Sequence, residues 1–346
     1  MSKKKVAPPS RSPSPANPFA LLARASHLFD KGQAAQAAPL CRQVLRLQPQ
    51  NAGAWQLLGI TQIVDDQPAD AILSLQKALE LDGRNTRTLC LIATACAQTG
   101  RAQEALAFFD QALAIDPSQA DIWYDRGNVL QAQQENEAAL ASYDRALAIV
   151  PRHANAWLNR GHLLLALHQH REAITSIERA VDIAPRDPRA WQSLGKALFE
   201  AQRFVDALAC HEKVVHLDHK HVEGWLSFAE VLLRLGRPDL ALERLDVAAR
   251  LSPDSSRGLI LRANALHRQR KQNEELETLQ KAHAFEPDNA VVTGSLMTCM
   301  LQTASWDDLQ PILDRVLASS RAGAYGSQAF AMLAHPDAVA TDILQA

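Results

Sequence analysis

Apolar residues recur along this chain three or four positions apart, with polar residues between them. Leu309, Ile312, Leu313 and Val316 show the pattern clearly, because residues at these intervals share one face of a helix. Only 5% of the residues are aromatic and alanine is abundant, which favours closely packed helices over strands. The pattern therefore predicts an all-α fold.

Tryptophan and proline fall on one lattice with a period of 34 residues. Two residue types that share one period indicate an internal repeat without insertions or deletions. The tryptophans are Trp55, Trp123, Trp157, Trp191 and Trp225, and the prolines are Pro49, Pro117, Pro151, Pro185, Pro253 and Pro287. The lattice predicts eight repeats: 18–51, 52–85, 86–119, 120–153, 154–187, 188–221, 222–255 and 256–289.

Positions 8, 20 and 27 of the repeat carry alanine or glycine in almost every unit. Small side chains are needed where two helices cross at close distance, so each repeat is expected to be a pair of packed helices. Proline at position 32 cannot continue a helix and should end the second helix of each pair. Pro39 lies inside the second helix of the first repeat, where we expect it to shorten the first turn.

The series W-x-x-[LR]-G-x-x-L, followed by alanine, alanine and proline at fixed offsets, resembles the tetratricopeptide repeat over residues 18–289. Departures are local: Gly83 and His219 replace the proline, and Glu275 replaces an alanine. The resemblance implies a right-handed superhelical solenoid of about eight helix-turn-helix units. It also implies a protein–protein interaction scaffold or adaptor, whose partners are protein or peptide clients that bind as extended chains in the concave groove.

The two ends of the chain leave the lattice. Residues 1–17 are basic and rich in proline and serine, so they cannot bury apolar area and are expected to form a disordered tail. Residues 290–323 keep helical apolar spacing but lose the alanine and proline markers. We predict that they form a degenerate unit that caps the stack, because a terminal repeat needs a different outer face.

Residues 290–346 carry a second resemblance. The stretches C-M-L-Q-T-A-S-W-D-D-L at 299–309 and S-Q-A-F-A-M-L-A-H-P-D at 327–337 are similar to the linker between the repeats and the catalytic half of bacterial O-GlcNAc transferase relatives, the SPINDLY-like group. The resemblance implies an alternative function, as the substrate-presenting, non-catalytic part of a UDP-sugar glycosyltransferase system. A glycosyltransferase catalytic domain would then be a partner. Since the remaining residues cannot supply two nucleotide-binding lobes, we expect no catalysis from this chain.

The tetratricopeptide resemblance implies that positions 2, 5, 6, 9, 12 and 13 of each first helix line the groove. Asparagine suits a peptide ligand there, because a short side chain offers both a donor and an acceptor. Asn128, Asn159 and Arg189 also occupy positions that co-chaperones use to grip a C-terminal carboxylate, although the two remaining positions hold Tyr124 and Ser193, neither of them cationic. Ordinary solvated helix faces are the alternative. The groove candidates are Tyr124, Asp125, Asn128, Asn155, Asn159, Arg189, Lys196 and Asn264.

Charge and cysteine usage narrow the class of protein further. The net charge of −2 becomes more acidic once the basic tail is set aside, so we predict no nucleic-acid partner. No apolar run approaches the ~20 residues that span a bilayer, and we predict no membrane partner and a cytoplasmic location. The five cysteines include no C-x-x-C pair and are expected to be small core residues in a reducing compartment.

The densest titratable cluster contains His211, His216, His219 and His221. A metal needs ligands that converge on one point, whereas the five-residue interval from His211 to His216 does not place them on one helix face. We therefore interpret the cluster as a solvated helix end. The sequence also lacks G-x-G-x-x-G, a phosphate loop, H-E-x-x-H and G-x-S-x-G, so we predict no enzyme activity, metal or cofactor.

Overall fold

A computed structural model of the chain describes residues 17–303. Almost the whole predicted tail 1–17 therefore lies outside the described residues, as does the C-terminal part after Thr303, including Trp306 and both acids of the pair Asp307–Asp308. Seventeen helices make up the described part, and each helix begins 34 residues after its equivalent in the preceding repeat.

The helices alternate between thirteen and fourteen residues in length. In chain order they are α1 Pro18–Asp30, α2 Ala34–Leu47, α3 Ala52–Val64, α4 Pro68–Leu81, α5 Thr86–Gln98, α6 Ala102–Ile115, α7 Ala120–Ala132, α8 Asn136–Ile149, α9 Ala154–Ala166, α10 His170–Ile183, α11 Pro188–Glu200, α12 Phe204–Leu217, α13 Val222–Arg234, α14 Pro238–Leu251, α15 Ser256–Arg268, α16 Gln272–Phe285 and α17 Ala290–Gln302.

The chain divides into two compact units, the first ending at Leu167 and the second beginning at His168. Helices α1–α9 belong to the first unit and α10–α17 to the second. Within each unit, neighbouring helices pack as hairpins, such as α3 with α4 and α11 with α12. The predicted all-α fold of about eight helix-turn-helix units is confirmed. Helix α17 stands where a ninth repeat would begin, and its capping role stays a prediction.

The first helix of every repeat but the fourth starts at a side chain that caps it, and α7 is the exception. Asn51, Asn85 and Ser255 each accept a hydrogen bond from the backbone N–H three residues later, at 2.9, 3.0 and 3.1 Å. His153 and His221 do the same through Nδ1, at 3.1 and 2.8 Å. Such caps satisfy an otherwise unpaired helical N–H, which explains why these helices begin at the same lattice position.

The turn inside each hairpin contains one residue with a left-handed backbone. Glycine supplies it at Gly32, Gly100 and Gly236, and there an added Cβ would meet no atom within 4 Å. The requirement is therefore conformational and not steric. The equivalent residues elsewhere are not glycine: Asp66, Gln134, His168, Gln202 and Arg270, with φ between 57° and 63°. Each of these five residues carries the conformational cost of a side chain in this region.

Gln134→Gly is expected to stabilise the first unit by about 1 kcal/mol, because glycine adopts a φ of 63° without the clash that an L side chain brings. Urea unfolding followed by helical circular dichroism measures the change. Gln133→Gly is the matched control, since Gln133 has an ordinary φ of −86° and should gain nothing from glycine. Equal effects of the two substitutions would contradict the argument.

The core of each hairpin forms where repeat position 8, on the first helix, meets repeat position 24, on the second helix. A Cβ on Gly59 would lie 2.4 Å from Leu75, and one on Gly127 would lie 2.6 Å from the Tyr143 ring. Tyr143 is fully buried. The small residues predicted at the helix crossings are buried as expected, among them Ala25, Ala37, Ala71, Ala105, Ala112, Ala139 and Ala146.

Two sequence expectations about the core need correction. Pro39 does not shorten its helix, because α2 has the same fourteen residues as the other second helices and contains the proline. Cysteines Cys41, Cys96, Cys210 and Cys299 are buried free thiols as predicted, but Cys90 is only half-buried. Cys90 occupies position 5 of its repeat, which belongs to the predicted groove rather than to the core.

Successive repeats are also joined by polar contacts. The indole N–H of Trp55, Trp123 and Trp157 donates to the backbone carbonyl six residues earlier, at 2.8, 3.0 and 2.9 Å. Arg126 pairs with Asp110 at 2.8 Å, and Arg160 pairs with Asp144 at 2.7 Å. The second unit has these contacts at the same repeat positions, where the indoles of Trp191 and Trp225 donate to carbonyls six residues earlier and Arg262 pairs with Asp246. Among residues 17–303, no helix is both long enough and apolar enough to cross a bilayer.

Candidate functional site

Four of the predicted groove residues meet on α7 and α9 of the first unit. Tyr124 and Asn128 are one turn apart on α7 and share a face, and Asp125 lies beside them on the same helix. Asn159 lies on α9, where it takes the lattice position that Asp125 takes one repeat earlier. All four side chains are half-buried, so each is ordered by its neighbours and still accessible to a ligand.

The two asparagine amides bond to each other. Asn159 Nδ2 donates to Asn128 Oδ1 at 2.8 Å and approaches the Tyr124 hydroxyl at 3.2 Å. The Tyr143 hydroxyl lies 2.9 Å from Asn128 Oδ1 and 2.7 Å from Gln131 Oε1, and its single proton goes to one of them at a time. Burial raises the pKa of Tyr143 far above its usual range, so this hydroxyl remains a donor.

This arrangement leaves one amide donor and one amide acceptor for a ligand. Two donors converge on Asn128 Oδ1, which fixes the orientation of that amide. Within residues 17–303, neither Asn128 Nδ2 nor Asn159 Oδ1 has a hydrogen-bond partner, and neither atom is sealed from solvent. A backbone peptide group presents one acceptor and one donor, so its hydrogen-bonding groups match those of the asparagine pair.

Asp125 is a charged residue that shares a face of α7 with Asn128, three positions later. Its carboxylate makes no hydrogen bond or ion pair with any other residue of the described range 17–303. Burial raises the pKa of Asp125 to about 6, and the nearby Asp121 raises it further, whereas His153 lowers it when its imidazole is protonated. Asp125 therefore titrates close to neutral pH, whereas an exposed aspartate ionises near pH 4.

His153 contributes little positive charge to this surface. Its Nδ1 accepts the capping N–H of Ala156 at 3.1 Å and so carries no proton. The proton is then on Nε2, which lies 3.3 Å from Asp121 Oδ1, and the imidazole is uncharged in this geometry. The ring also lies 4.9 Å from the Tyr124 ring, between centroids. His153 thus orders the exposed Asp121 while it caps α9.

The remaining candidates do not join this network. Asn155 belongs to the first unit and is exposed. In the second unit, Arg189 pairs with Asp187 at 2.8 Å, and Lys196 lies 3.9 Å from Glu200. Asn264 is exposed in the same unit. The structure therefore brings together Tyr124, Asp125, Asn128 and Asn159 from the predicted set.

Sequence reasoning missed two members of the network, Tyr143 and Gln131. Position 24 is a core position in every repeat, so Tyr143 looked like one more buried apolar residue. Its hydroxyl was the available signal, because a buried tyrosine usually finds a hydrogen-bond partner. Gln131 occupies position 12 of its repeat, one of the implied groove positions, but amide side chains are too common on helix surfaces to stand out.

The interpretation of His211 as part of a solvated helix end is wrong. His211 is 2% exposed and lies against Gly195, in the core position that Leu75 and Tyr143 fill elsewhere. Burial lowers the pKa of His211 to about 4, and the charge of Arg257 acts in the same direction. Within the described part of the chain, no three histidine, cysteine or acidic side chains gather in a metal-binding arrangement.

Comparison with known families identifies the repeat. Models described as tetratricopeptide repeat match residues 124–188 and 158–213, and a second such model matches 28–87 and 198–265. A model described as TPR repeat matches 93–134. Together these matches extend over most of the predicted array 18–289.

Individual relatives are similar over shorter stretches. The human PEX5-related protein is 42% identical over 57 residues, which amount to 16% of this chain and 9% of the human protein. The structure of Pseudomonas aeruginosa pilF has a TM-score of 0.53 at 19% identity, over 61% of this chain and 96% of that one. A chain of the APC/C hetero-tetramer Cut9–Hcn1 has a TM-score of 0.54 at 16% identity, over 81% of this chain and 55% of that one. These two structures support the fold alone.

Proposed function

Because the chain belongs to the tetratricopeptide-repeat family, we propose that it is an interaction scaffold whose first unit binds an extended segment of a partner protein on α7 and α9. The observation that carries the proposal is the Asn128–Asn159 pair, which keeps one donor and one acceptor available beside each other. A peptide backbone can satisfy both atoms whatever its side chains are, so the site suits extended polypeptide as a class.

The asparagine pair is also held in place before a ligand arrives. Asn128 Oδ1 accepts from Asn159 Nδ2, and the buried Tyr143 hydroxyl lies within bonding distance of the same oxygen, so the two amides have little freedom left to lose. Ordering of flexible side chains is one of the main costs of association. A pre-ordered pair avoids part of that cost, which favours binding even of a short and weakly interacting segment.

Substitution of both asparagines by alanine is expected to weaken peptide binding by about tenfold, since a neutral hydrogen bond contributes about 0.5–1.5 kcal/mol. Peptides selected from a random display library on the full chain supply the probes, and fluorescence anisotropy supplies the affinity. Asn136→Ala is the matched control, because this asparagine starts α8 outside the network. Undiminished affinity in the Asn128→Ala, Asn159→Ala double variant would exclude the site.

The likeness of 290–346 to the O-GlcNAc transferase junction remains a prediction, as does a substrate-presenting role. Helix α17 is the part of that stretch within the described residues, and the residues around Trp306 lie outside them. Co-purification of the native chain with a UDP-sugar transferase, or with GlcNAc-modified proteins, would support this alternative. Recovery of unmodified clients alone would count against it.

A further inference from the structure

The surface that bears the asparagine pair also carries a carboxylate without a partner. Asp125 is three residues before Asn128 on α7, so the two side chains are neighbours on one helix face. Asp125 is half-buried, yet among residues 17–303 it has no hydrogen bond or ion pair. A carboxylate that loses part of its hydration without gaining a cation is unfavourable in the unliganded protein.

Among the described residues 17–303, no lysine or arginine side chain forms an ion pair with Asp125. Asp121, one turn earlier on α7, adds a second negative charge to the same face. His153 at the start of α9 is uncharged while its Nδ1 caps the helix. Cys90 on α5 is a further titratable neighbour, and the charge of Asp125 contributes to the raised pKa of its thiol, second to burial. Arg126 does not compensate the charge of Asp125, since its guanidinium donates to Asp110 and to the Ser142 hydroxyl.

These observations decide the sign of the charge that a ligand brings. An acidic side chain or a C-terminal carboxylate would meet Asp125 and Asp121 with a like charge, which argues against the carboxylate grip used by co-chaperones. A cation would gain a partner that is already partly dehydrated. The geometry therefore favours a positively charged group.

Resting on the proposed function, we infer that the bound segment presents a cationic side chain, lysine or arginine, to Asp125 while its backbone bonds to Asn128 and Asn159. The asparagine pair would then provide affinity that is independent of sequence, and Asp125 would select the side chain at one position. The partner is thus a segment of a protein that carries a basic residue at the position that contacts Asp125.

Acetylated, amidated peptide pools test the inference on the full chain. Their central residue is lysine, arginine, norleucine or glutamate, and their other positions are randomised among uncharged residues. A further norleucine pool with a free N-terminus distinguishes an N-terminal amine from a side chain as the source of the cation. We expect the lysine or arginine pool to bind about tenfold more tightly than the acetylated norleucine pool, and the glutamate pool to bind most weakly.

Asp125→Asn should abolish the preference for lysine or arginine over norleucine, because the amide keeps the shape of the side chain and removes its negative charge. Asp121→Asn is the matched control one turn away, and since Asp121 is 93% exposed, the preference should largely survive there. A free amine that binds as well as a lysine side chain would overturn the assignment to a side chain.

Acidification provides a second measurement on the unaltered protein. The pKa of Asp125 is about 6, and a bound cation favours the ionised form, so the preference for lysine should fade as the pH drops below that value. Equal binding of lysine and norleucine pools at neutral pH would overturn the cation site. If that binding still depends on Asn128 and Asn159, the proposed function survives; if no pool binds, both fail.

Discussion

His211→Leu is expected to stabilise the second unit against acid, with an advantage over the native chain that grows to about 3 kcal/mol as the pH falls toward 4. His211 fills a core position next to Gly195, where its ring bonds to Gln192 Oε1 at 3.2 Å. Leu75, Leu245 and Leu279 occupy the equivalent position in other repeats, so the site suits a leucine side chain. At neutral pH the gain should be smaller, because the native imidazole is then uncharged.

The sign of the pH effect follows from the two protonation states. Burial lowers the pKa of His211 to about 4 in the folded chain, whereas an unfolded histidine has a pKa of about 6.5. Between these values the unfolded state binds more protons, so acid favours unfolding. The native stability is complete above pH 6.5 and decreases as the pH falls to about 4.

Urea unfolding of the native chain and the variant over this pH range measures the difference. His216→Gln is the matched control, because His216 lies exposed on the same helix, α12, and its replacement leaves the buried His211 ring in place. Parallel profiles for the native chain and His211→Leu would show that the buried imidazole does not set the acid sensitivity. Hydrogen exchange of α11–α13 would confirm that the effect belongs to the second unit.

The second large effect is expected at Tyr143, where alanine should destabilise the first unit by about 3–5 kcal/mol. The ring is fully buried against Gly127, and its removal leaves a cavity that a hairpin of two rigid helices cannot close. Hydrogen exchange of α7 and α8 would show where protection is lost. A loss below about 1 kcal/mol would mean that the hairpin collapses around the cavity.

Tyr143→Phe separates packing from the hydroxyl. The ring remains, so the cost to stability should be only about 1 kcal/mol, the typical value of one hydrogen bond. Peptide affinity should nevertheless fall, because Asn128 loses one of the two donors that orient its amide. A variant that keeps full affinity would show that the Asn159 contact alone orders the pair.

The lattice of tryptophan, alanine and proline was sufficient to predict the helices, because each marker has one structural reason. Ala71 and Ala105 are buried at crossings, and Pro49 and Pro117 follow the ends of their helices. Because the lattice has no insertion, the bounds of one correctly assigned repeat give the bounds of all the others. The boundary between the two units after Leu167 has no marker in the sequence.

The candidate site was predictable only in part. Asn128 and Asn159 stand out as polar residues at groove positions, but their mutual bond depends on side-chain conformations that spacing does not specify. Arg189 was indistinguishable in the sequence from a residue free to bind a ligand, whereas its guanidinium pairs with Asp187 two residues earlier. His211 was misread because it was grouped with the nearby histidines His216, His219 and His221, while its neighbours in space, Gly195 and Gln192, lie on α11.

Within each unit, the helices contact partners one or two places away along the chain. Contacts between residues close in sequence need little loop closure, so folding of such an array is expected to be rapid and to start at more than one hairpin. Opening is expected to be local for the same reason, because the main contacts of α1–α17 join helices that are close in sequence. A peptide bound on α7 and α9 would therefore slow the opening of the hairpins beside it and leave α1 and α2 to fray as before.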